Sequence, residues 1–146
     1  MAMRIEPIVV TTAKKEAILE LYVDAGVWED WWDVEIIPLI VKQSFKFVAL
    51  YAHNELIGMG RAISDGVMAA YILDVCVRTD FREQGWGKKI IRKLVKELEE
   101  AGIRCIQYIV PTEARNFCEH CGFDILVGQV PLRLIKPDDL GFDSSV

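Results

Sequence analysis

The run Val77-Arg-Thr-Asp-Phe-Arg-Glu-Gln-Gly-Trp-Gly-Lys-Lys89 holds the chain's most informative chemistry. It lies between an apolar, strand-like stretch and a helical pattern. At such a junction, backbone N–H groups and the helix dipole attract an anion. Gly85 and Gly87 leave the backbone open to a close-approaching phosphate. The phosphate-loop pattern GxxxxGK[ST] is absent, and GWGKKI lacks the third glycine of GxGxxG. Charge supports the same reading. Arg82, Lys88, Lys89, Arg92 and Lys93 crowd the start of the helix, and Glu97, Glu99 and Glu100 crowd its end. Both placements oppose the macrodipole, at about 0.3–1 kcal/mol each, and an anion bound at the start would reverse the first penalty. A solvated face that tolerates the cost is the alternative.

Two further groups carry chemistry. Asp74 is the one acid inside the apolar run 67–77, and a carboxylate there needs a partner or a use. It is a candidate general base; an outward-facing or loop-capping carboxylate is the plainer alternative. Cys118, His120 and Cys121 in FCEHCGF have the residue types of a metal or redox site. They lack a fourth ligand and a CxxC at a helix start, so a short helix with packed thiols is preferred over metal. Trp28, Trp31 and Trp32, with Glu29, Asp30, Asp33 and Glu35, could receive a cation with an apolar or aromatic body, or could simply pack a helix on a sheet.

The elements that position these residues follow from periodicity. Apolar positions 17, 18, 21, 22 and 25 predict a helix over 14–25, and positions 90, 91, 94, 95 and 98 predict one over 85–101. The segment 27–43 reads as an irregular helix on each side of a bend at Pro38. Strands are expected at 4–10, 45–51, 56–63, 67–77 and 103–110, a short helix at 113–121, and two last strands at 123–127 and 130–135. The turns HNE and SDG are tight enough for an antiparallel meander, while the crossover 67–110 makes its own strand pair parallel. The fold class is therefore α+β, with a mixed, mostly antiparallel sheet flanked by helices. With 146 residues, one domain over 1–136 and an acidic tail at 137–146 are expected.

Composition narrows the function. Apolar residues make up 52% and charged residues 27%, which excludes wholesale disorder. A net charge of −5 argues against nucleic-acid binding. No apolar run is long enough to cross a membrane, and the N-terminus does not read as a secretory signal. The four cysteines are then expected as thiols in a cytoplasmic protein.

Arg82-Glu83-Gln84-Gly85-Trp86-Gly87 matches the (Q/R)xxGx(G/A) motif of the GCN5-related N-acetyltransferases (GNAT), and FCEHCGF is similar to that family's FYxxxGF segment. The order of elements resembles the family over about residues 4–136. LYVDAGVW, the SDG turn and ILDVCV resemble its aralkylamine N-acetyltransferase-like subgroup. The resemblance implies that two parallel strands splay and that acetyl-CoA is the donor. It implies that Val75, Cys76 and Val77 meet the pantetheine arm. Arg82, Glu83, Gln84, Gly85, Trp86, Gly87 and Lys88 would bind the pyrophosphate. It further implies N-acetylation of a small primary amine by direct attack, with no metal; a homodimer stays open. Two positions depart from the pattern: Pro111 stands where the family often has Asn, and Cys118 where it often has the Tyr that protonates the departing thiolate. An inactive acyl-CoA sensor of the same fold, a nucleotide module of another family and acetylation of a protein terminus are the other readings.

Overall fold

The structure is a computed structural model that describes residues 5–136; the acidic tail lies outside the described residues. Its elements run β1 (Ile8–Val9), α1 (Lys15–Asp24), α2 (Ile36–Gln43), β2 (Lys46–Ala52), β3 (Glu55–Ser64), β4 (Ala69–Val77), α3 (Trp86–Glu100), β5 (Cys105–Tyr108) and α4 (Arg115–His120). Short 3-10 turns at Thr79–Phe81 and Thr112–Ala114 precede α3 and α4. One sheet takes the order β1-β2-β3-β4-β5. All its pairs are antiparallel except β4–β5, which the α3 crossover makes parallel. The expected α+β class and mixed sheet are observed.

The sheet is buried on both faces. One face carries Val48, Leu50, Ile57, Ala62 and Ile72 against Ile90, Leu94 and Leu98 of α3. The other carries Phe47, Ala49, Met59 and Cys76 against Ile18, Leu21 and Tyr22 of α1 and Ile37 and Val41 of α2. Both helices bury the stripe that their apolar spacing dictates. The backbone of Gly102, at φ 84°, ends α3 in the left-handed conformation common after a helix. Close packing of α3 depends on bare backbone in β3: a Cβ on Gly60 would stand 2.8 Å from Ile90 Cγ2 and 3.1 Å from both Leu94 Cδ1 and Val75 Cγ2.

The structure corrects several expected elements. Residues 27–35 form turns, and helix appears only from Ile36. Pro38 falls in the first turn of α2, where its missing N–H costs nothing and no bend results. The first strand shrinks to Ile8–Val9. The strands expected at 123–127 and 130–135 are absent. A strand persists only with a hydrogen-bonded partner; β5 is four residues long and pairs with β4 alone. Pro131 also lacks the donor that a ladder needs. Val127, Val130, Leu132 and Leu134 remain exposed.

The crowding at Gly60 predicts a measurable cost. Gly60→Ala should destabilise the fold by about 1–3 kcal/mol through overpacking against α3, read as a lower denaturant midpoint with an unchanged slope. An unchanged midpoint would contradict the packing described.

Candidate active site

The site begins with an irregularity in β4. Met59 faces Cys76 and Arg61 faces Leu73, so Gly60 alone opposes both Asp74 and Val75. This is a β-bulge, and Asp74 occupies it with φ 58°. The bulge resets the alternation of the strand. Ala70 and Ile72 pack toward α3, and so does Val75, while Cys76 packs toward α1. Asp74 points to the α1 side. There its Oδ2 accepts a 2.8 Å hydrogen bond from the Tyr22 hydroxyl and a 2.7 Å bond from Arg61 Nε. Alternation alone would have sent Asp74 toward α3, so the bulge is what re-aims it.

The same point marks a fork in the sheet. β4 and β5 pair from Ala69↔Cys105 to Ile72↔Tyr108, and among the described residues no pairing continues beyond. The β5-facing edge of 73–77 is therefore open. Burial raises the Tyr108 hydroxyl well above the usual tyrosine range, with smaller contributions from Cys118, Cys76, Tyr71 and Asp74. As the last residue of β5 to pair with β4, Tyr108 stands at the fork. Burial and the Asp74 carboxylate push the Cys76 thiol up to about 12. Cys118 is buried in α4, and burial, then Cys121, raises its thiol.

From the end of β4 the chain passes through the 3-10 turn into the glycine loop. Glu83 and Gly85 both take positive φ, 63° and 87°. Among the described residues, the backbone N–H groups from Glu83 to Lys88 donate no hydrogen bond; the first to do so is Lys89, to the Gly85 carbonyl. Open amides in a loop with left-handed turns, at a helix start, form an anion-binding concavity. A Cβ on Gly85 would meet nothing within 4 Å, so space and conformation both suit a ligand at that residue. Gly87 has another reason: its Cβ would stand 3.2 Å from Phe117 Cζ, so it makes room for α4.

The basic cluster is more committed than its sequence suggests. Arg82 bonds the Val77 carbonyl and Asp24, Lys93 pairs with Glu97, and Lys89 stands 5.1 Å over the Trp86 ring. Glu97 also meets Lys46, so the acidic end of α3 is partly compensated. On the α1 side, ring contacts run from Tyr22 to Trp28, to Trp32, to Trp31, at centroid distances of 5.3–5.8 Å. Trp31 is 79% exposed. Glu35 bonds Lys15, and Asp33 caps the Glu35 amide, so those two acids serve the turn. Among the described residues, no group of three His, Cys, Asp or Glu side chains is arranged to hold a metal ion.

A family model described as Acetyltransferase (GNAT) family matches residues 12–123. The chain belongs to the GNAT acetyltransferase family. An N-acetyltransferase named ycf52, described as uncharacterized, from Gracilaria tenuistipitata var. liui is 34% identical over 91 residues, covering 60% of this chain and 50% of that protein. The chain thus spans about half the length of that relative. Among solved GNAT-like structures, protein SA2161 from meticillin-resistant Staphylococcus aureus, described as a probable acetyltransferase, superposes with a TM-score of 0.79. Its identity is 22%, covering 91% of this chain and 99% of that one. SP0256 from Streptococcus pneumoniae, a GNAT family acetyltransferase, gives a TM-score of 0.77 at 20% identity, covering 91% and 98%. These two show the fold.

Within this GNAT chain, the structure gathers Asp74, Val75, Cys76 and Val77 at the fork and 82–88 at the adjoining loop. It adds Tyr22, Arg61, Asp24, Thr79 and Tyr108, which motif reasoning missed. Arg61 carried a signal: it is the one base in the apolar run of β3, as Asp74 is the one acid in β4. Tyr22 and Asp24 lay within the quoted LYVDAGVW segment, but the helical pattern there gave neither a role.

Tyr22 yields a pH prediction. Burial, then the Asp74 charge and hydrogen bond, lifts its hydroxyl well above the ordinary 10.0. The folded-state value exceeds the unfolded one, so this stabilisation is complete below pH 10 and is lost as pH rises through the folded value. Between pH 10 and 11 the melting temperature of Tyr22→Phe should fall less steeply than that of the wild type. Identical slopes would contradict the buried, carboxylate-bonded hydroxyl.

Proposed function

We propose that this GNAT chain moves an acetyl group from acetyl-CoA to a primary amine by direct attack of the amine on the thioester. The observation that carries the reading is the run of open amides from Glu83 to Lys88, set beside the open edge of β4. The loop amides would bind the pyrophosphate. The peptide groups of Val75, Cys76 and Val77 that β3 and Arg82 leave free would bond the amide-containing pantetheine arm, as a neighbouring strand otherwise would. A β4 N–H at the fork would polarise the thioester carbonyl.

The acceptor side is the α1 face. Asp74 Oδ2 is engaged twice, which leaves Oδ1 to take a hydrogen bond from an ammonium group. In this reading Asp74 orients the amine and accepts its proton, directly or through water, before the nitrogen attacks. The Tyr22–Trp28–Trp32–Trp31 series supports an amine with an apolar or aromatic body. As the C–S bond breaks, the thiolate needs a proton. Cys118 supplies it here, its raised thiol being protonated at neutral pH, and the proton shed by the newly acetylated nitrogen returns through water to the Cys118 thiolate. Tyr108, also protonated, is the second candidate.

Two measurements test the proposal. A panel of polyamines, arylalkylamines, amino acids and peptides should include an amine that drives release of CoA thiol. Tight acetyl-CoA binding with no release above background would favour the sensor reading. With that amine, Asp74→Asn should lower turnover by ~10²-fold or more, with acetyl-CoA affinity kept and partial rescue at high pH. Full activity in folded Asp74→Asn would remove Asp74 from the chemistry. A loss in Tyr108→Phe but not in Cys118→Ala would transfer the acid role to Tyr108.

A further inference from the structure

One carboxylate outside both half-sites touches the root of the glycine loop. Asp24, the last residue of α1, accepts from the Thr79 backbone N–H at 3.0 Å on Oδ2 and from the Thr79 hydroxyl at 2.9 Å on Oδ1. It also accepts from Arg82 Nη2 at 3.3 Å. Arg82 in turn donates from Nε to the Val77 carbonyl at 2.9 Å, so its guanidinium bridges the end of β4 and the end of α1. The placement of Asp24 is electrostatically wrong twice over. A carboxylate at a helix C-terminus opposes the dipole, and it stands next to a loop whose open amides suit an anion. Exposed ion pairs of this kind contribute little by themselves. Three donors converging on one carboxylate, one of them loop backbone, indicate a positional role.

We propose that Asp24 is a positioning residue for the donor. It ties the root of the loop to α1, so that the amides beyond Arg82 are already arranged when CoA arrives. The inference rests on the donor reading above. It assigns Arg82 a bond to protein: its side chain braces the loop, and phosphate recognition falls to the amides. It also makes α1 a common support. Tyr22 holds the Asp74 bulge, and Asp24, two residues on, holds the donor loop.

The sign of one substitution separates this from simple electrostatics. Removing a negative charge beside an anion site, and freeing Arg82, should tighten CoA binding if charge alone matters. If Asp24 positions the loop, its loss should weaken binding, since the loop must then be ordered by the ligand. Calorimetry with CoA should give about a tenfold rise in Kd for Asp24→Ala. Arg82→Gln should show a similar rise, and the double variant should be no worse than the poorer single one, because both remove one brace. Amide exchange over 79–84 should quicken in unliganded Asp24→Ala. Asp24→Asn, which keeps the size but has one acceptor oxygen, should show the same direction and serves if Asp24→Ala does not fold. Unchanged or tighter CoA binding in the Asp24 variants would overturn the inference, as would independent, additive effects of the two substitutions. Failure of the wild type to bind CoA would overturn the donor reading and this inference together.

Discussion

Asp74 stands in left-handed backbone inside a strand, and Arg61 and Tyr22 hold it there. A non-glycine residue in that conformation costs roughly 1–2 kcal/mol. Two hydrogen bonds to a carboxylate, one of them an ion pair, are of the right size to offset it. Much follows from this contact. The bulge turns Asp74 to the α1 face and Val75 to the α3 face. The bulged pair Asp74 and Val75 lies just beyond Ile72, the last residue of β4 paired with β5. A carboxylate facing one side of the sheet and an open strand edge thus lie side by side at one inserted residue.

The glycine loop is built on the same strand. Two turns of positive φ carry the chain from the 3-10 turn into α3, leaving a row of amides without acceptors among the described residues, at the positive end of a fifteen-residue helix. Such a row is tolerable in water and favourable beside an oxyanion. Gly60 lets α3 lie close against the sheet, and Phe117 lies over Gly87. The loop is therefore held at its helical side by packing and at its strand side by Arg82, Thr79 and Asp24.

The parts that obey one period were legible in the sequence. The helices at 14–25 and 85–101 and the central meander followed from apolar spacing, and the left-handed turn that opens the second of these helices from Gly85. The family resemblance rested on 82–87 and 117–123. What stayed hidden depends on contacts between distant segments. A bulge in β4 leaves no mark on its own residues, since Asp74 looks like any acid in an apolar run; Gly60 across the sheet is the only hint. The bond from Tyr22 spans 52 residues and that from Asp24 spans 55. The strands expected after Gly122 failed for the converse reason: alternating apolar residues suffice for a pattern, but not for a hydrogen-bonded partner.

In the proposed reading, the amides of 83–88 and the open edge of β4 at 75–77 together receive CoA. Amide-resolved NMR titration of the uniformly labelled protein with CoA measures this directly. The largest shifts are expected at Gln84, Gly85, Trp86, Gly87 and Lys88, accompanied by Val75 to Val77, with the amides of α2 and β1 unmoved. Saturable binding that leaves 83–88 and 75–77 in place while amides elsewhere shift would contradict it.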